Sequence, residues 1–344
     1  MNKTFANTVV SSRVRLARNV EGIPFPNRLK DAEAANRIIN DVINCIPDPG
    51  GCRFYKMNKS DGAEILCLVE KNLVSKELAG MPFAAAMISG DECVSVMFHE
   101  EDHIREQCIL KGFSLRRAYE RLKTVDDEID LRLDIAKDKD FGYLTSCPTN
   151  LGLGLRASVM MFLPALTMTK KMPETAAHIK NCGMTVRGGY GEGSSFDGYM
   201  YQISNRFSFR GDPDGILASV EKAAAEIVAS EEREREILFR NDPCEVIDLA
   251  HRAYGVLTNA VRMSFKEALE LVSRLKFGIV SGVTNQNDCA QLDALITAVK
   301  PANLIKRAGR ALEPEERDIF RAEVVRETLL NAKIKIRTPA VDFR

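Results

Sequence analysis

Tryptophan is absent from the sequence, histidine is scarce, and neither sign of charge is in excess. The 344 residues include no Trp and four His, and 48 basic residues balance 48 acidic ones to a formal net charge of zero. A chain without excess positive charge is not expected to bind nucleic acid or an anionic membrane through bulk electrostatics. The apolar run at residues 157–166 is too short to cross a bilayer, and the N-terminal residues lack the apolar core of a secretory signal. We therefore expect neither direct nucleic-acid binding nor membrane attachment.

The nine cysteines also lack the spacing of a structural framework. None forms a CxxC pair, and an odd number cannot all be joined within one chain. This usage favours free thiols in a reducing, cytoplasmic setting over a disulfide scaffold or a zinc ribbon. The length, with 45% hydrophobic and 28% charged residues, suits one large domain or two ordinary ones with a sizeable core.

Two regions of the chain differ in texture, and we place a domain boundary near residue 240. Up to about residue 212 the chain mixes β-rich runs, glycine-containing loops and helical segments, and from residue 214 onward it is helical, so the fold class is α+β. The boundary separates a first domain, residues 1–240, from a helical domain, residues 241–344. Strands are predicted at 63–70, 93–98, 141–145 and 199–209, with a helix at 158–166. From residue 214 onward, helices are predicted at 215–240, 243–257, 264–277, 288–299 and 314–331.

Arginine is the residue that the sequence favours, with 28 Arg against 20 Lys. A guanidinium offers a rigid fork of donors that matches phosphate and carboxylate groups. Arg13 and Arg15 alternate with Val14 and Leu16, so on an extended segment the two Arg share one face. That pair could clamp a polyphosphate. The alternative is an exposed edge strand whose charges discourage further pairing.

Two glycine-rich segments each carry a further arginine. Arg156 follows Gly152 and Gly154, and the backbone N–H groups of such a loop can hold an anion. Arg187 opens a second glycine-rich run, which contains Glu192. The alternative for both segments is a plain turn in which glycine supplies a positive φ.

Residues 99–103 read HEEDH and satisfy the H-E-x-x-H pattern of zinc hydrolases. That pattern works when both imidazoles lie on one face of a helix. Here it follows the predicted strand at 93–98, and no convincing third ligand lies downstream. We therefore predict no metal site formed by protein side chains.

Taken together, five segments resemble the phosphagen-kinase-like proteins, and most closely their bacterial protein-arginine kinase branch. The resemblance covers nearly the whole chain, and the CPTNLG portion is its most specific part. The segments are SSRVRLARN (11–19), EEDHIR (100–105), SCPTNLGLGLRASVM (146–160), VRGGYGEGS (186–194) and YQISN (201–205). The fold implied is an antiparallel β-sheet flanked by helices, followed by an all-helical C-terminal domain.

The resemblance implies roles for the residues at matching positions. The ATP phosphates would lie among Arg13, Arg15, Arg105, Arg156 and Arg187. Other implied ATP contacts are Ser11, Ser12, Val14, Ala157, Ser158, Val159, Met160, Gly188, Gly189, Tyr190, Gly191 and Glu192. Glu101 would hold and deprotonate the substrate guanidinium, with Glu192 as its partner carboxylate. Cys147 would be the reactive cysteine beside the substrate, and its alternative is a buried, small apolar side chain.

These residue types suit phosphoryl transfer from ATP with Mg²⁺ to a guanidinium. A guanidinium is protonated at neutral pH and is therefore a poor nucleophile. Two carboxylates can orient its planar fork and accept a proton as the N–P bond forms. Arginines and Mg²⁺ can hold the triphosphate in line, so that catalysis is mostly positioning and electrostatics.

The C-terminal region points to proteins as substrates and to a second site. Kinases of small guanidino metabolites carry an N-terminal helical domain ahead of SxRxR, a segment that begins here at residue 11. By resemblance, Arg317, Asp318, Arg321 and Ala322 match an RDxxRA motif that binds phosphoarginine allosterically. Arg317 and Arg321 are helical i, i+4 neighbours and could grip a phosphoryl group together. The alternative is a solvated face with an Asp318–Arg321 ion pair.

The resemblance implies an ATP-dependent protein-arginine kinase that marks proteins for Clp-type proteolysis and regulates the stress response. It further implies exposed Arg residues of proteins as substrates, a homodimer, an activator of the McsA type and work alongside ClpC–ClpP. Two alternatives stay open: a catalytically weak phosphoarginine-binding adaptor for a Clp protease, and a free-arginine kinase. Four positions depart from the family pattern, namely Asn72, His99, Leu153 and Ser195.

Overall fold

The computed structural model describes residues 3–46, 51–188, 198–209 and 211–337. Its strands are β1 (Val9–Arg18), β2 (Cys52–Lys56), β3 (Ala85–Ser89), β4 (Val94–Phe98), β5 (Ile104–Lys111), β6 (Lys137–Asp138), β7 (Gly142–Tyr143), β8 (Leu155–Phe162), β9 (Met184–Gly188) and β10 (Met200–Asn205). Its helices are α1 (Lys3–Thr8), α2 (Ala32–Cys45), α3 (Gly62–Glu70), α4 (Leu115–Arg132), α5 (Pro164–Met168), α6 (Met172–Asn181), α7 (Pro213–Asn241), α8 (Pro243–Asn259), α9 (Phe265–Val280), α10 (Ala290–Ala298), α11 (Pro301–Ala308) and α12 (Pro314–Ala332).

Eight strands form one antiparallel sheet in the order β2-β3-β4-β5-β1-β8-β10-β9, which confirms the α+β class. Strand β1 lies in the interior of this sheet, between β5 and β8. The alternative that Arg13 and Arg15 belong to an edge strand is therefore wrong. Both of their neighbouring strands are paired, so their charges do not serve to protect a free edge.

One face of the sheet carries the main core of the catalytic region. Val14 and Leu16 of β1 point to this face and are buried with apolar residues of β8, α4 and α7. On the other face, α3 covers the part formed by β2, β3 and β4. The rest of that second face carries arginine side chains of four strands, namely Arg13 and Arg15 of β1, Arg105 of β5, Arg156 of β8 and Arg187 of β9. The alternation of side chains along β1 therefore separates a core face from a functional face.

Helices α8 to α12 build a second core of their own, to which Leu257, Val272 and Leu329 contribute. A smaller cluster joins these helices to the sheet, because Phe162 of β8 packs with Val246 of α8 and Phe277 of α9. The helices predicted after residue 214 are confirmed, with the break at Asp242–Pro243 as expected. The proposed boundary near residue 240, separating 1–240 from 241–344, stays a prediction.

Two secondary-structure predictions are wrong. Residues 63–70 were expected to form a strand but form α3, which Asp61 begins by accepting a hydrogen bond from the Ala63 N–H at 3.3 Å. Ile65 and Leu68 then lie on one helical face against the sheet. Residues 158–162 were expected to be helical but belong to β8, because β1 and β10 pair with this segment on both sides. The helix begins only at Pro164.

Other expectations hold with narrower bounds. The strand expected at 93–98 is β4, the one at 199–209 is β10, and of 141–145 only Gly142–Tyr143 is extended. All nine cysteines are free thiols, as the sequence indicated. No helix among the described ranges is long and apolar enough to cross a membrane.

Candidate nucleotide and guanidinium site

Four arginine side chains lie together on the functional face, in the part of the sheet that α3 does not cover. Arg15 lies opposite Arg156 of β8 and opposite Gln107 of β5, while Ala17 lies opposite Arg105. Arg13 is two residues from Arg15 on the same face, so side chains of β5, β1 and β8 point together. We call the surface formed by Arg13, Arg15, Arg105, Arg156 and Arg187 the arginine face. This grouping follows directly from the strand register.

Arg187 joins this group from β9. It pairs with Gln202 of β10, which in turn pairs with Met160 of β8. Its charge lowers the pKa of Arg156, as does that of Arg105, although burial of Arg156 is the larger cause. Arg187 itself is exposed. It therefore lies at the rim of the arginine face rather than beneath it.

The guanidinium groups of the arginine face destabilise one another. Burial first, and then the charges of Arg105 and Arg156, lower the pKa of Arg13 to about 10. The same causes, together with Arg13, lower the pKa of Arg15 well below its ordinary value. The Nε atoms of Arg13 and Arg156 are buried and have no hydrogen-bond partner among the described residues. A bound polyanion would supply both the missing charge and the missing acceptors.

The remaining predicted ATP contacts divide according to the face on which they lie. Val14, Ala157 and Val159 point into the core and are fully buried. The Ser12 hydroxyl donates to the Gly112 carbonyl and accepts from the Ser114 N–H, both at 2.8 Å, so it fixes the turn between β5 and α4. Strand alternation turns these four side chains away from the arginine face, and the nucleotide contacts of their residues stay predictions.

Ser11, Ser158 and Met160 share the register of the arginine face, because Ser158 lies opposite Arg13 and Met160 lies opposite Ser11. Gly188 ends β9 and pairs with Tyr201. The predictions for Gly189, Tyr190, Gly191, Glu192 and Ser195 lie outside the described residues.

The HEEDH segment is a tight turn between β4 and β5, not a helix. His99 has a φ of 56°, and its N–H donates to the His103 carbonyl at 3.0 Å. The His99 Nε2 lies 3.0 Å from the Ala35 carbonyl oxygen, and the His103 Nε2 lies 2.9 Å from that of Pro24. The His103 Nδ1 accepts from the Val20 N–H at 3.1 Å, so its Nε2 carries the proton and donates to Pro24. These imidazoles hold the turn in place, which removes the basis for the zinc-hydrolase alternative.

Within this turn, Glu100 and Glu101 both pair with Arg105. The Glu101 carboxylate accepts from Arg105 Nη2 at 2.9 Å, and Glu100 bonds to Nη1. Glu100 is buried, whereas the Glu101 side chain is 38% exposed and so remains accessible to a substrate. Arg105 therefore connects the arginine face to Glu101, the carboxylate that the family resemblance assigns to the substrate guanidinium.

Cys147 lies close to Arg156 of the arginine face. Its thiol is half-buried and lies 3.1 Å from the Thr149 hydroxyl. Burial, Arg187 and Arg105 lower the pKa of Arg156, and Cys147 and Glu101 only partly oppose that lowering. The buried Asp102 accepts from Asn19 Nδ2 and from the Ser146 N–H, both at 2.7 Å. The HEEDH turn and the cysteine loop are thus tied together by Asp102. Sequence reasoning did not assign Asp102 or Asn19, although both lie within motifs that it singled out.

We expect His99→Asn to reduce the acid sensitivity of the protein. Burial lowers the pKa of His99 to about 4, so the folded state keeps this imidazole neutral while the unfolded chain protonates below its ordinary value of 6.5. The stability contributed by the neutral ring is therefore lost as pH falls from 6.5 towards 4. Asn tolerates the positive φ at this position and does not titrate.

The loss of unfolding free energy between pH 7.5 and pH 5 should accordingly be smaller in His99→Asn by about 2 kcal/mol. Denaturant unfolding at the two pH values measures it, with the exposed His178→Asn as the control. An unchanged pH dependence in His99→Asn would contradict this assignment.

The RDxxRA motif of α12 is largely committed to structure. Arg321 is buried, and it donates to the Val299 carbonyl at 2.9 Å, to the Met263 carbonyl at 2.8 Å and to the Asp318 carboxylate. Ala322 is fully buried in the core of the helical region. The Arg321 guanidinium fastens α12 to two other segments, and the joint grip of Arg317 and Arg321 on one phosphoryl group stays a prediction. The ion pair with Asp318 is that of the alternative interpretation.

Arg317 and Asp318 are less buried than Arg321. Both are half-buried, and Asp318 lines a cavity of about 410 Å³ with Arg262, Glu267 and Glu315. Three carboxylates in this cavity favour the guanidino end of phosphoarginine. The phosphoryl end would need a cation such as Arg317.

We expect Arg321→Ala to lower the free energy of unfolding by about 3 kcal/mol, because two buried carbonyls and a carboxylate lose their donor. Arg317→Ala should change stability by less than about 0.5 kcal/mol. Denaturant titration of both variants measures these effects. Equal stability of the two variants would contradict the structural role given to Arg321.

The chain matches two family models. The ATP:guanido phosphotransferase C-terminal catalytic domain matches residues 34–234, and the protein-arginine kinase McsB C-terminal domain matches residues 243–339. Among solved structures, the taurocyamine kinase of Schistosoma mansoni has a TM-score of 0.60 at 24% identity over 77% of this chain and 38% of that chain. A lombricine kinase has a TM-score of 0.58 at 20% identity over 67% of each chain. These structures share the fold.

Curated relatives extend over almost the whole chain. The protein-arginine kinase of Caldanaerobacter subterraneus subsp. tengcongensis is 41% identical over 95% of this chain and 98% of its own. That of Bacillus subtilis is 40% identical over 94% of this chain and 90% of its own. With a catalytic-domain model that matches more than half of its residues, the chain belongs to the ATP:guanido phosphotransferase family, in the group of the protein-arginine kinases.

Proposed function

We propose that this protein transfers the γ-phosphoryl group of ATP to the guanidinium of arginine residues in other proteins. The observation that carries the proposal is the contact between the two halves of the site. Arg105 belongs to the arginine face and donates to the Glu101 carboxylate at 2.9 Å. A phosphate-binding surface and a guanidinium-binding carboxylate are therefore adjacent, as a transfer between the two groups requires.

The arginine face fits a triphosphate. Its unpartnered Nε donors and its lowered guanidinium pKa values are the signs of a site built for a polyanion. Mg²⁺, when bound with ATP, would neutralise phosphate charge. Such an ion is usually held by substrate phosphates with at most one or two carboxylates of the protein.

The side chains of the site have distinct roles in the transfer. Glu101 orients the substrate guanidinium through paired hydrogen bonds and accepts a proton from the attacking nitrogen. As the N–P bond forms, the bond between the γ-phosphorus and the bridging oxygen breaks, and the electron pair leaves with ADP. Arg13, Arg15 and Arg156 stabilise the negative charge on the transferred group and the leaving oxygen. A Cys147 thiolate would add negative charge beside the guanidinium.

A transfer assay with radiolabelled γ-phosphate tests this proposal. With ATP, Mg²⁺ and an arginine-rich protein, we expect protein-bound label that is lost in acid, the behaviour of a phosphoramidate. Turnover of free L-arginine alone would favour the free-arginine kinase. A protein that binds ATP and leaves both acceptors unlabelled would contradict the kinase function.

We further propose that phosphoarginine binds beside Arg317 and Asp318 as an allosteric ligand. The acidic cavity next to Asp318 supports this choice, and Arg321 holds α12 in place beside it. Titration with free phosphoarginine should show saturable binding that Arg317→Ala abolishes. Binding confined to the arginine face would refute this second site.

We also propose that the protein acts in the cytoplasm as a homodimer. It would work with an activator of the McsA type and would mark substrates for ClpC–ClpP during stress. A preparation that binds phosphoarginine and a Clp protease but has no transferase activity would favour the adaptor alternative.

A further inference from the structure

Helix α11 of the C-terminal region begins at a carboxylate from the catalytic region. Glu70, the last residue of α3, accepts hydrogen bonds from the Ala302 N–H at 2.8 Å and the Asn303 N–H at 3.0 Å. The Asn303 side chain donates to the same carboxylate at 2.8 Å. Lys300 donates to the Glu70 carbonyl at 2.6 Å. Glu70 thus satisfies the free N–H groups at the start of α11, which its own helix cannot do.

This contact is connected to the arginine face through the turn that follows α3. Helix α3 covers the neighbouring strands β2, β3 and β4 on the same surface of the sheet. Immediately after Glu70 the chain turns at Asn72, whose φ is 61°. The Asn72 carbonyl accepts a hydrogen bond from Gln107 Nε2 at 2.8 Å.

Gln107 occupies a distinctive place in β5. It pairs with Arg15 across the β1–β5 ladder and is two residues from Arg105. Its side chain is almost fully buried, and its Oε1 has no hydrogen-bond partner among the described residues. Its position therefore depends on the two bonds made by Nε2, to the Asn72 carbonyl and, at 3.2 Å, to the Ser95 hydroxyl.

We infer that Glu70 is a positioning residue for the nucleotide site. By holding the turn at Asn72 against the N-terminus of α11, it keeps Gln107 in place beside Arg15. The C-terminal helices therefore contribute to the affinity of the arginine face for nucleotide, through residues that do not themselves touch the nucleotide. The inference rests on the proposed function to the extent that the arginine face binds ATP.

The contact between Glu70 and the start of α11 is also linked to the RDxxRA motif. Arg321 of α12 donates to the Val299 carbonyl, one residue before Lys300 and two before the first residue of α11. A change at α12 therefore has a short, hydrogen-bonded route to Glu70. If phosphoarginine alters nucleotide affinity through this route, nucleotide must alter phosphoarginine affinity by the same factor.

Nucleotide binding in Glu70 variants tests the inference. For the full-length protein, titration calorimetry with Mg·ATP gives Kd, steady-state assays give KM and kcat, and thermal unfolding reports stability. We expect Glu70→Ala to raise both Kd and KM for ATP by roughly fivefold or more. Its kcat should change by less than about twofold, because Glu70 touches neither the guanidinium nor the transferred group.

Milder variants and a control separate positioning from general instability. Glu70→Gln keeps one acceptor oxygen and should lose less ATP affinity than Glu70→Ala. Asn303→Ala removes only the hydrogen bond from the Asn303 side chain to the Glu70 carboxylate. It should also raise Kd for ATP, and it tests the inference if Glu70→Ala does not fold. Glu77→Ala, an exposed carboxylate on the same stretch of chain, should leave Kd unchanged.

ATP binding by the wild-type protein separates a failure of the inference from a failure of the proposed function. If the wild-type protein binds ATP and forms phosphoarginine while Glu70→Ala and Asn303→Ala keep the wild-type Kd, the inference is overturned and the kinase function stands. A lowered Tm with unchanged Kd has the same meaning. If the wild-type protein does not bind ATP, the proposed function and the inference both fall.

Discussion

Replacing Glu101 by Gln should lower the rate of phosphoarginine formation by roughly 10²–10⁴-fold, the range that a positioned general base contributes. The amide cannot accept the proton that the guanidinium must release, yet it keeps the size and the hydrogen-bonding oxygen of the carboxylate. ATP affinity should stay within a few-fold of wild type, because the proposed phosphate contacts are made by the arginine face and not by Glu101.

Single-turnover kinetics with saturating ATP measure this effect, and calorimetry measures ATP binding separately. Glu245→Gln, an exposed carboxylate on α8, is the matched control and should behave as wild type. A Glu101→Gln enzyme with near wild-type turnover would show that another group accepts the proton.

Replacing Arg15 by Met should reduce kcat/KM by about 10³-fold or more and should also stabilise the unliganded protein. The loss of rate follows because a guanidinium that stabilises transferred phosphate charge is worth several powers of ten. The gain in stability follows because burial, and then the charges of Arg13, Arg105 and Arg156, lower the pKa of Arg15, so its charged form is unfavourable in the unliganded protein.

Arg15→Met should therefore be more stable than wild type without Mg·ATP and less stable than wild type with it. Without nucleotide, Arg15→Met should be more stable than wild type by about 1 kcal/mol, a typical gain when a functional strain is removed. At Mg·ATP concentrations of about 100 times Kd, wild type should gain nearly 3 kcal/mol and the variant almost none. Thermal unfolding with and without Mg·ATP tests this reversal, with the exposed Arg252→Met as the control. A variant less stable than wild type in both conditions would contradict the account of the arginine face.

Local patterns in the sequence were enough to predict the main features of the site. The alternation of Arg13 and Arg15 with Val14 and Leu16 correctly predicted a strand with one polar and one apolar face. The HEEDH segment was correctly separated from a zinc helix by the strand that precedes it. Both inferences depend only on side-chain periodicity and on the order of neighbouring elements.

Features that depend on distant segments could not be predicted. Residues 158–162 are extended because β1 and β10 pair with them, and no local pattern decides that outcome. Arg321 is buried because carbonyls 22 and 58 residues away in sequence accept its hydrogen bonds. The contact between Glu70 and the start of α11 spans 232 residues. Each of these positions is set by the packing of whole elements.

The central claim, that this protein phosphorylates arginine side chains, is tested most directly by mass spectrometry of a bystander protein after incubation with the enzyme, ATP and Mg²⁺. Fragmentation that preserves the N–P bond should locate phosphate on arginine residues with the wild-type enzyme, and the same sites should be unmodified with Glu101→Gln. Phosphate found only on hydroxyl side chains, or equal arginine phosphorylation by the two enzymes, would contradict the account.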